Sequence, residues 1–373
     1  MRNSFIDLTQ SLQDYHGKDC HAIIQGALCG GHRTVKLPPG RFFVSKTLRI
    51  TSHTCIEAHE HTVISLAAQS AQKQEDYLLT NADPIRGNEK IEIMGGIWDG
   101  NGAHNPRGED QYEAGAFGGV AINFIKVKDL RMSHLTAANS DCFFIRLGEI
   151  DGFRIEDVKL FNTLPRINQD GVHIGGFCRN GAIVGLHAIS PMTPGDDLVA
   201  LNADDDVERH MNKGMRLGPI ENIEIRDLSA ESAYTFVRLL SQNQSIRNVR
   251  ISELRGGVRN NGINMNRWRF PVGGGKITDV RIRDVRLHKM PWSIDSAKIQ
   301  PEPIFDLDLK ASDLEIENFT RPPLDGGVGD TLRVRIQTDC QVGFSGENEN
   351  ATLVKDGEFL RMSGGGFRHL SLR

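Results

Sequence analysis

The chain has 373 residues, 39% of them hydrophobic, enough to bury a large core in one domain. Its 44 basic and 48 acidic residues leave a net charge of −4, which argues against nucleic acid as a partner. Six cysteines without a Cys-x-x-Cys pair exclude a zinc ribbon or a disulfide scaffold, and no apolar run has the length of a membrane span or signal peptide. The expected compartment is the cytoplasm, or the exterior if a signal peptide has been removed.

In chain order, the segment from Asp19 to Leu28 reads as a short helix ending at Gly30-Gly31, suited to covering the open end of a sheet. Val35-Lys36-Leu37 followed by Pro38-Pro39-Gly40 reads as a strand closed by a turn, with another strand at Thr47-Leu48-Arg49-Ile50. From Leu130 onward a unit of the form apolar-charged-Ile-x-Asp-apolar recurs, as in Phe153-Arg154-Ile155-Glu156-Asp157-Val158 and Val280-Arg281-Ile282-Arg283-Asp284-Val285. Copies beginning at Leu130, Phe153, Ala182, Ile223, Val249, Val280 and Leu314 lie 23, 29, 41, 26, 31 and 34 residues apart, the Ala182 copy being weak. Period-2 alternation repeated every few tens of residues predicts a solenoid of β-coils, with surplus residues placed in edge loops. The largest surplus falls between Ala182 and Ile223. The whole of 1–373 is expected to form one domain, with 1–60 as cap and first coil. Residues 330–373 are expected as the last coils or a small appended sheet.

Each unit also carries a second strand, such as Gly171-Val172-His173-Ile174-Gly175 and Leu198-Val199-Ala200-Leu201-Asn202. Aligning these strands sets Asp141, Asp170 and Asp197 in one column, and Arg146, Asn202, Arg238 and Asn266 in a second on the outward face. Asp170, Asp196 and Asp197 would then share one patch of surface. A single Asp before a strand is an ordinary turn residue; several clustered together suit glycosidic-bond chemistry. Like charges packed closely raise at least one pKa, keeping one carboxyl protonated while another stays ionised. An inverting hydrolase leaves about 6.5–9.5 Å between acid and base for water, and adjacent coils ~4.8 Å apart give distances of that order. The run Asp204-Asp205-Asp206 reads as a solvated loop in preference to a Ca²⁺ site. His173 and Trp268 are further sugar-contact candidates.

These residues carry a resemblance. Gly95-Gly96-Ile97-Trp98-Asp99-Gly100-Asn101-Gly102, Asn168-Gln169-Asp170-Gly171 and Gly195-Asp196-Asp197 are similar to motifs of the polygalacturonase family of glycoside hydrolases, within the pectin-lyase-like superfamily. The resemblance implies an all-β, right-handed parallel β-helix with an N-terminal capping helix, and hydrolysis with inversion of an oligo- or polysaccharide. It implies Asp197 as general acid, with Asp170 and Asp196 activating water. Arg146, His173, Asn202, Arg238, Asn266 and Trp268 would contact the substrate, and neither a metal nor a cofactor is needed. The sequence departs from the family's pattern in two places. No histidine stands near Ala233-Tyr234-Thr235, and asparagines occupy 264 and 266 where cations that grip a uronate would fall. Two alternatives stay open: a lyase or epimerase using Arg238 and Tyr234, or a non-catalytic carbohydrate-binding β-helix.

Overall fold

The computed structural model describes residues 4–266, 276–293, 295–308, 311–336, 340–347 and 351–373. Trp268 lies outside the described residues. The chain winds as a right-handed parallel β-helix in which each coil hydrogen-bonds to the next. Ile91, Leu130, Phe153, Gly181, Ile223, Val249, Val280 and Leu314 stack in parallel register. Two residues on, Ile93, Met132, Ile155, Ile183, Ile225, Ile251, Ile282 and Ile316 form a second buried stack. Alternation sends these side chains inward and the intervening Arg and Glu outward, so the repeat is the core ladder itself.

The weak copy belongs one residue earlier than Ala182, at Gly181. A slip of one residue exchanges the inner and outer faces of a strand. The cause is local: a Cβ on Gly181 would lie 2.0 Å from the Phe153 ring, so the ring fills the space an aliphatic side chain occupies elsewhere. The Asp of the repeat also has a structural origin. Asp157, Asp227, Asp284 and Asn318 have φ of 49–59°, the left-handed region that short polar side chains tolerate best. At the preceding corner Asn180, Asn222 and Asn248 do the same, joined by amide hydrogen bonds of 2.9 and 2.7 Å.

The helix His21–Leu28 buries Ile24, Ala27 and Leu28 and packs over the first coils. Its Gln25 side chain exchanges two hydrogen bonds with the backbone of Arg49, satisfying an otherwise open strand edge. At the other end, Asp330–Arg335 continues the parallel stack on Phe305–Leu307. Phe359–Ser363 and Phe367–Leu372 then run antiparallel to Asp330–Arg335 and Ala311–Thr320. Among the described residues, no helix is long and apolar enough to cross a membrane.

Candidate active site

The second inward ladder, Ile122–Ile145–Val172–Val199–Val237–Ile263–Phe305–Leu332, positions the site. Pairing of Val172 with Val199 sets Asp170 opposite Asp197, and the Gly171 N–H donates to the Asp197 carbonyl at 2.9 Å. The turn before Asp197 is tight. A Cβ at Gly195 would come within 1.8 Å of the Arg166 carbonyl oxygen, so a residue with a side chain would push the aspartate doublet out of place.

Asp170, Asp196 and Asp197 come together, each offering one oxygen within 4.8 Å of the others. That is closer than the expected water gap, because two of them are neighbours in sequence and the third is stacked one rung away. Asp170 and Asp197 are buried and Asp196 half-buried. Little in the protein satisfies them. Asp196 Oδ2 accepts the Asn168 N–H at 3.1 Å, Asp170 Oδ2 is 2.7 Å from His173 Nδ1, and Asp197 Oδ1 is buried without a hydrogen-bond partner. Burial pushes all three carboxyls above the ordinary range, those of Asp170 and Asp197 far above it. The neighbouring carboxylates push Asp170 and Asp197 further, while Arg238 pulls all three back. A cluster in this state holds protons at pH values where isolated carboxylates have lost theirs.

The trio lines a groove of about 1310 Å³, together with His173, Asn202, Arg238 and Asn266. His173 is buried, its ring stacked on Phe143 with centroids 3.9 Å apart and its Nε2 3.5 Å from Asp205 Oδ2. Arg238 is half-buried and forms no ion pair with a described residue. Asn202 is buried, with its amide oxygen lacking a hydrogen-bond partner.

The structure corrects several expectations. Arg146 does not face the groove. It is buried, and its guanidinium donates to Asn123 Oδ1 at 2.8 Å, Tyr77 Oη at 2.9 Å, and the carbonyls of Met211 and Lys213. Loops from elsewhere in the chain cover it, which strand alternation cannot reveal. Nor do the four outward residues form one column. Arg146, His173, Ala200, Arg238 and Asn264 align, while Asn202 aligns with Leu240, two positions along. Asp141 stands apart from Asp170 because Phe143 takes the place opposite it; Asp141 binds Arg166 at 2.7 Å and the Arg107 N–H. The run at 204–206 is not a solvated loop. Asp204 is buried and accepts three backbone N–H groups of residues 242–244, and buried Asp205 contacts Asn212 and Arg209.

Sequence reasoning missed Arg209, Arg259, Tyr112 and Trp292. Arg209 donates to Asn168 Oδ1 at 2.6 Å and its charge lowers the pKa of Asp170 and Asp196. Arg259, brought down to about 10 by burial, lies 5.6 Å from the centre of the Tyr234 ring, which meets the exposed Trp292 edge-on at 5.4 Å. None sits in the outward column of the repeat, so periodicity gave no signal; the surplus length between Ala182 and Ile223 was the one pointer to Arg209.

No protein-family model and no curated protein matches the sequence. Solved structures do. The polygalacturonase of Erwinia carotovora superposes with TM-score 0.53 at 16% identity, covering 86% of each chain. A family 28 exopolygalacturonase of Yersinia enterocolitica gives 0.52 at 12% identity over 86% of this chain, which spans 66% of that longer protein. PfbA, a surface adhesin of Streptococcus pneumoniae, gives 0.55 at 11% identity over 97% and 99% of the two chains. The shared property is the parallel β-helix, a scaffold on which both enzymes and an adhesin are built.

Proposed function

We propose that the protein is a glycoside hydrolase that cleaves an oligo- or polysaccharide in this groove. Asp197 donates its proton to the departing glycosidic oxygen, and Asp170 with Asp196 grips the water that attacks the anomeric carbon. The observation that carries the reading is a group of three carboxyls beside a groove, two buried and one half-buried, with Asp197 Oδ1 left without a hydrogen-bond partner. Buried polar groups are normally bonded, and an unbonded one beside a groove calls for a reason, of which catalysis is one. The likeness to two polygalacturonases supports the scaffold for such chemistry. Inversion is our reading from the polygalacturonase resemblance and not from the carboxyl spacing, which at under 4.8 Å is shorter than the about 6.5–9.5 Å of the usual inverting pair.

A lyase or epimerase is less well supported. Its base would be Tyr234, and burial together with Asp196 and Asp197 lifts that phenol to about 12, where it stays protonated. A glycan panel with reducing-end detection, and NMR of the first-formed anomer, tests the proposal. New reducing ends of inverted configuration support it. A retained configuration would make one carboxylate a nucleophile, and an unsaturated product would replace hydrolysis by elimination. Glycan binding without turnover, unchanged by Asp197→Asn, would identify a binding protein.

A further inference from the structure

On the N-terminal side of the carboxylates the outward column does not continue as a groove. Thr80, Asn123 and Arg146, which precede His173 in that column, do not line the groove, whereas His173, Arg238, Asn264 and Arg333 do. Two loops, 101–119 and 203–219, stand over this part of the coil. They are fastened to each other: Tyr112 Oη donates to Asp206 Oδ2 at 2.8 Å, the His210 N–H to the Gln111 carbonyl at 2.7 Å, and Arg209 Nε to Gln111 Oε1 at 2.8 Å. They are also fastened to the coil below. The Arg146 guanidinium holds the carbonyls of Met211 and Lys213, and Met215 fits where only glycines at 148 and 175 leave room. A small apolar cluster of Tyr77, Val120, Cys142, Phe143 and Met211, separate from the main core, fills the seam.

This is a wall packed like a protein interior. A buried guanidinium is tolerated only where its N–H groups find acceptors, and Arg146 has four partners on three segments of chain. A glycan passing through here would have to break those bonds and part the apolar seam. On the opposite side the groove runs on. Arg238, Asn264, Asn266, Trp292, Arg333 and Arg335 line it along the coils that follow. Four rungs separate Ala200 from Arg333, a length of roughly 19 Å at ~4.8 Å per rung.

We infer that the site takes the end of a glycan chain: the terminal sugars meet the wall at Arg107–Tyr112 and Arg209, and the remainder lies along the rungs toward the C-terminal cap. The inference rests on the glycoside-hydrolase reading and adds to it that internal linkages are refused. The substrate class is a chain terminus, and products leave as one short unit at a time. Arg146 is here a positioning residue, acting through the loops that it holds.

The test begins with the wild-type protein on any glycan that it cleaves. A single short product from the earliest time points, with the viscosity of the polymer falling only late, is expected. Oligosaccharides capped with a bulky group at one end should lose turnover by at least about tenfold, while capping the other end has little effect. A ladder of intermediate sizes from the outset, or cleavage indifferent to both caps, overturns the inference while leaving hydrolysis standing. Loosening the wall by Gln111→Ala with Tyr112→Phe should bring in intermediate products; an unchanged single product from a variant that stays folded by circular dichroism would deny the wall its role. If no glycan is hydrolysed, the hydrolase reading falls, and calorimetric binding of the same capped oligosaccharides still decides the matter. Loss of binding with one cap supports a chain-end site, and equal binding of all forms rejects it.

Discussion

Two sets of aspartates stand on the same side of the coil a few rungs apart, and they differ in how they are paired. Asp306 and Asp308 are each met by an arginine: Arg333 grips both oxygens of Asp306 at 2.9 and 2.7 Å, and Arg335 pairs with Asp308 and Glu358. Asp170, Asp196 and Asp197 have arginines nearby in Arg238, Arg209 and Arg259, and none of these forms an ion pair with them. Residue type and burial are similar in the two places. What differs is whether the chain supplies a bidentate partner: burial raises the Asp306 carboxyl as well, but the Arg333 guanidinium pulls it back and occupies both of its oxygens. Where the partner is kept at a distance, neighbouring carboxylates add to burial and the carboxyls of Asp170 and Asp197 rise far above the ordinary range. The comparison teaches that acidity at this groove is set by geometry more than by composition.

The sharpest way to break that contrast is to neutralise one member of each set. Asp197→Asn should lower turnover by about 10²–10⁴-fold, the usual contribution of a positioned proton donor, while thermal melting stays equal or rises because a buried, repelled carboxyl has been removed. Asp306→Asn should do the reverse. It leaves the proposed chemistry in place and costs about 1–3 kcal/mol in urea unfolding, from loss of charge-assisted hydrogen bonds to Arg333. Should both substitutions destabilise alike, the trio would be structural.

A pH series sharpens the same point. Asp170 and Asp197 have folded-state values raised far above 3.8, so between 3.8 and those values the folded protein binds more protons than the unfolded chain. Their contribution to stability is complete below about 3.8 and is lost as pH rises through the raised values. Against an Asp170→Asn/Asp197→Asn double variant, the wild-type melting temperature should fall with rising pH across that window; parallel curves would contradict the assignment. The smallest effect is expected from Arg238→Gln. Arg238 lowers the pKa of all three carboxyls. Its removal lets the acid keep its proton to higher pH, so the alkaline limb of the pH–rate profile should move upward.

Much of this was legible in the chain, for identifiable reasons. Alternation at Phe153, Ile223, Val249, Val280 and Leu314 reports inward side chains directly, so the ladder could be read to the residue. It slipped at Gly181 because a ring from the neighbouring coil substitutes for a local side chain. The Asp196/Asp197 doublet and Asp170 could be brought together since equal spacing to Val172 and Val199 survives any loop length. Arg146 misled because exposure is decided by what folds back over a strand, in this case Met211 and Lys213 from 65 and 67 residues away. Gln111, Tyr112 and Arg209 lie in stretches without periodicity, where contacts depend on loop paths that local sequence does not encode.

The return of Phe367–Leu372 against Ala311–Thr320 has a consequence for the molecule as a finite object. Nothing in a ladder of like coils specifies a last one, and its final edge would welcome another chain as readily as its own. Reversing direction there occupies the donors and acceptors with a partner that cannot be followed by a further identical turn. A chain cut before residue 367 would therefore offer a sticky terminus and be expected to grow into fibres.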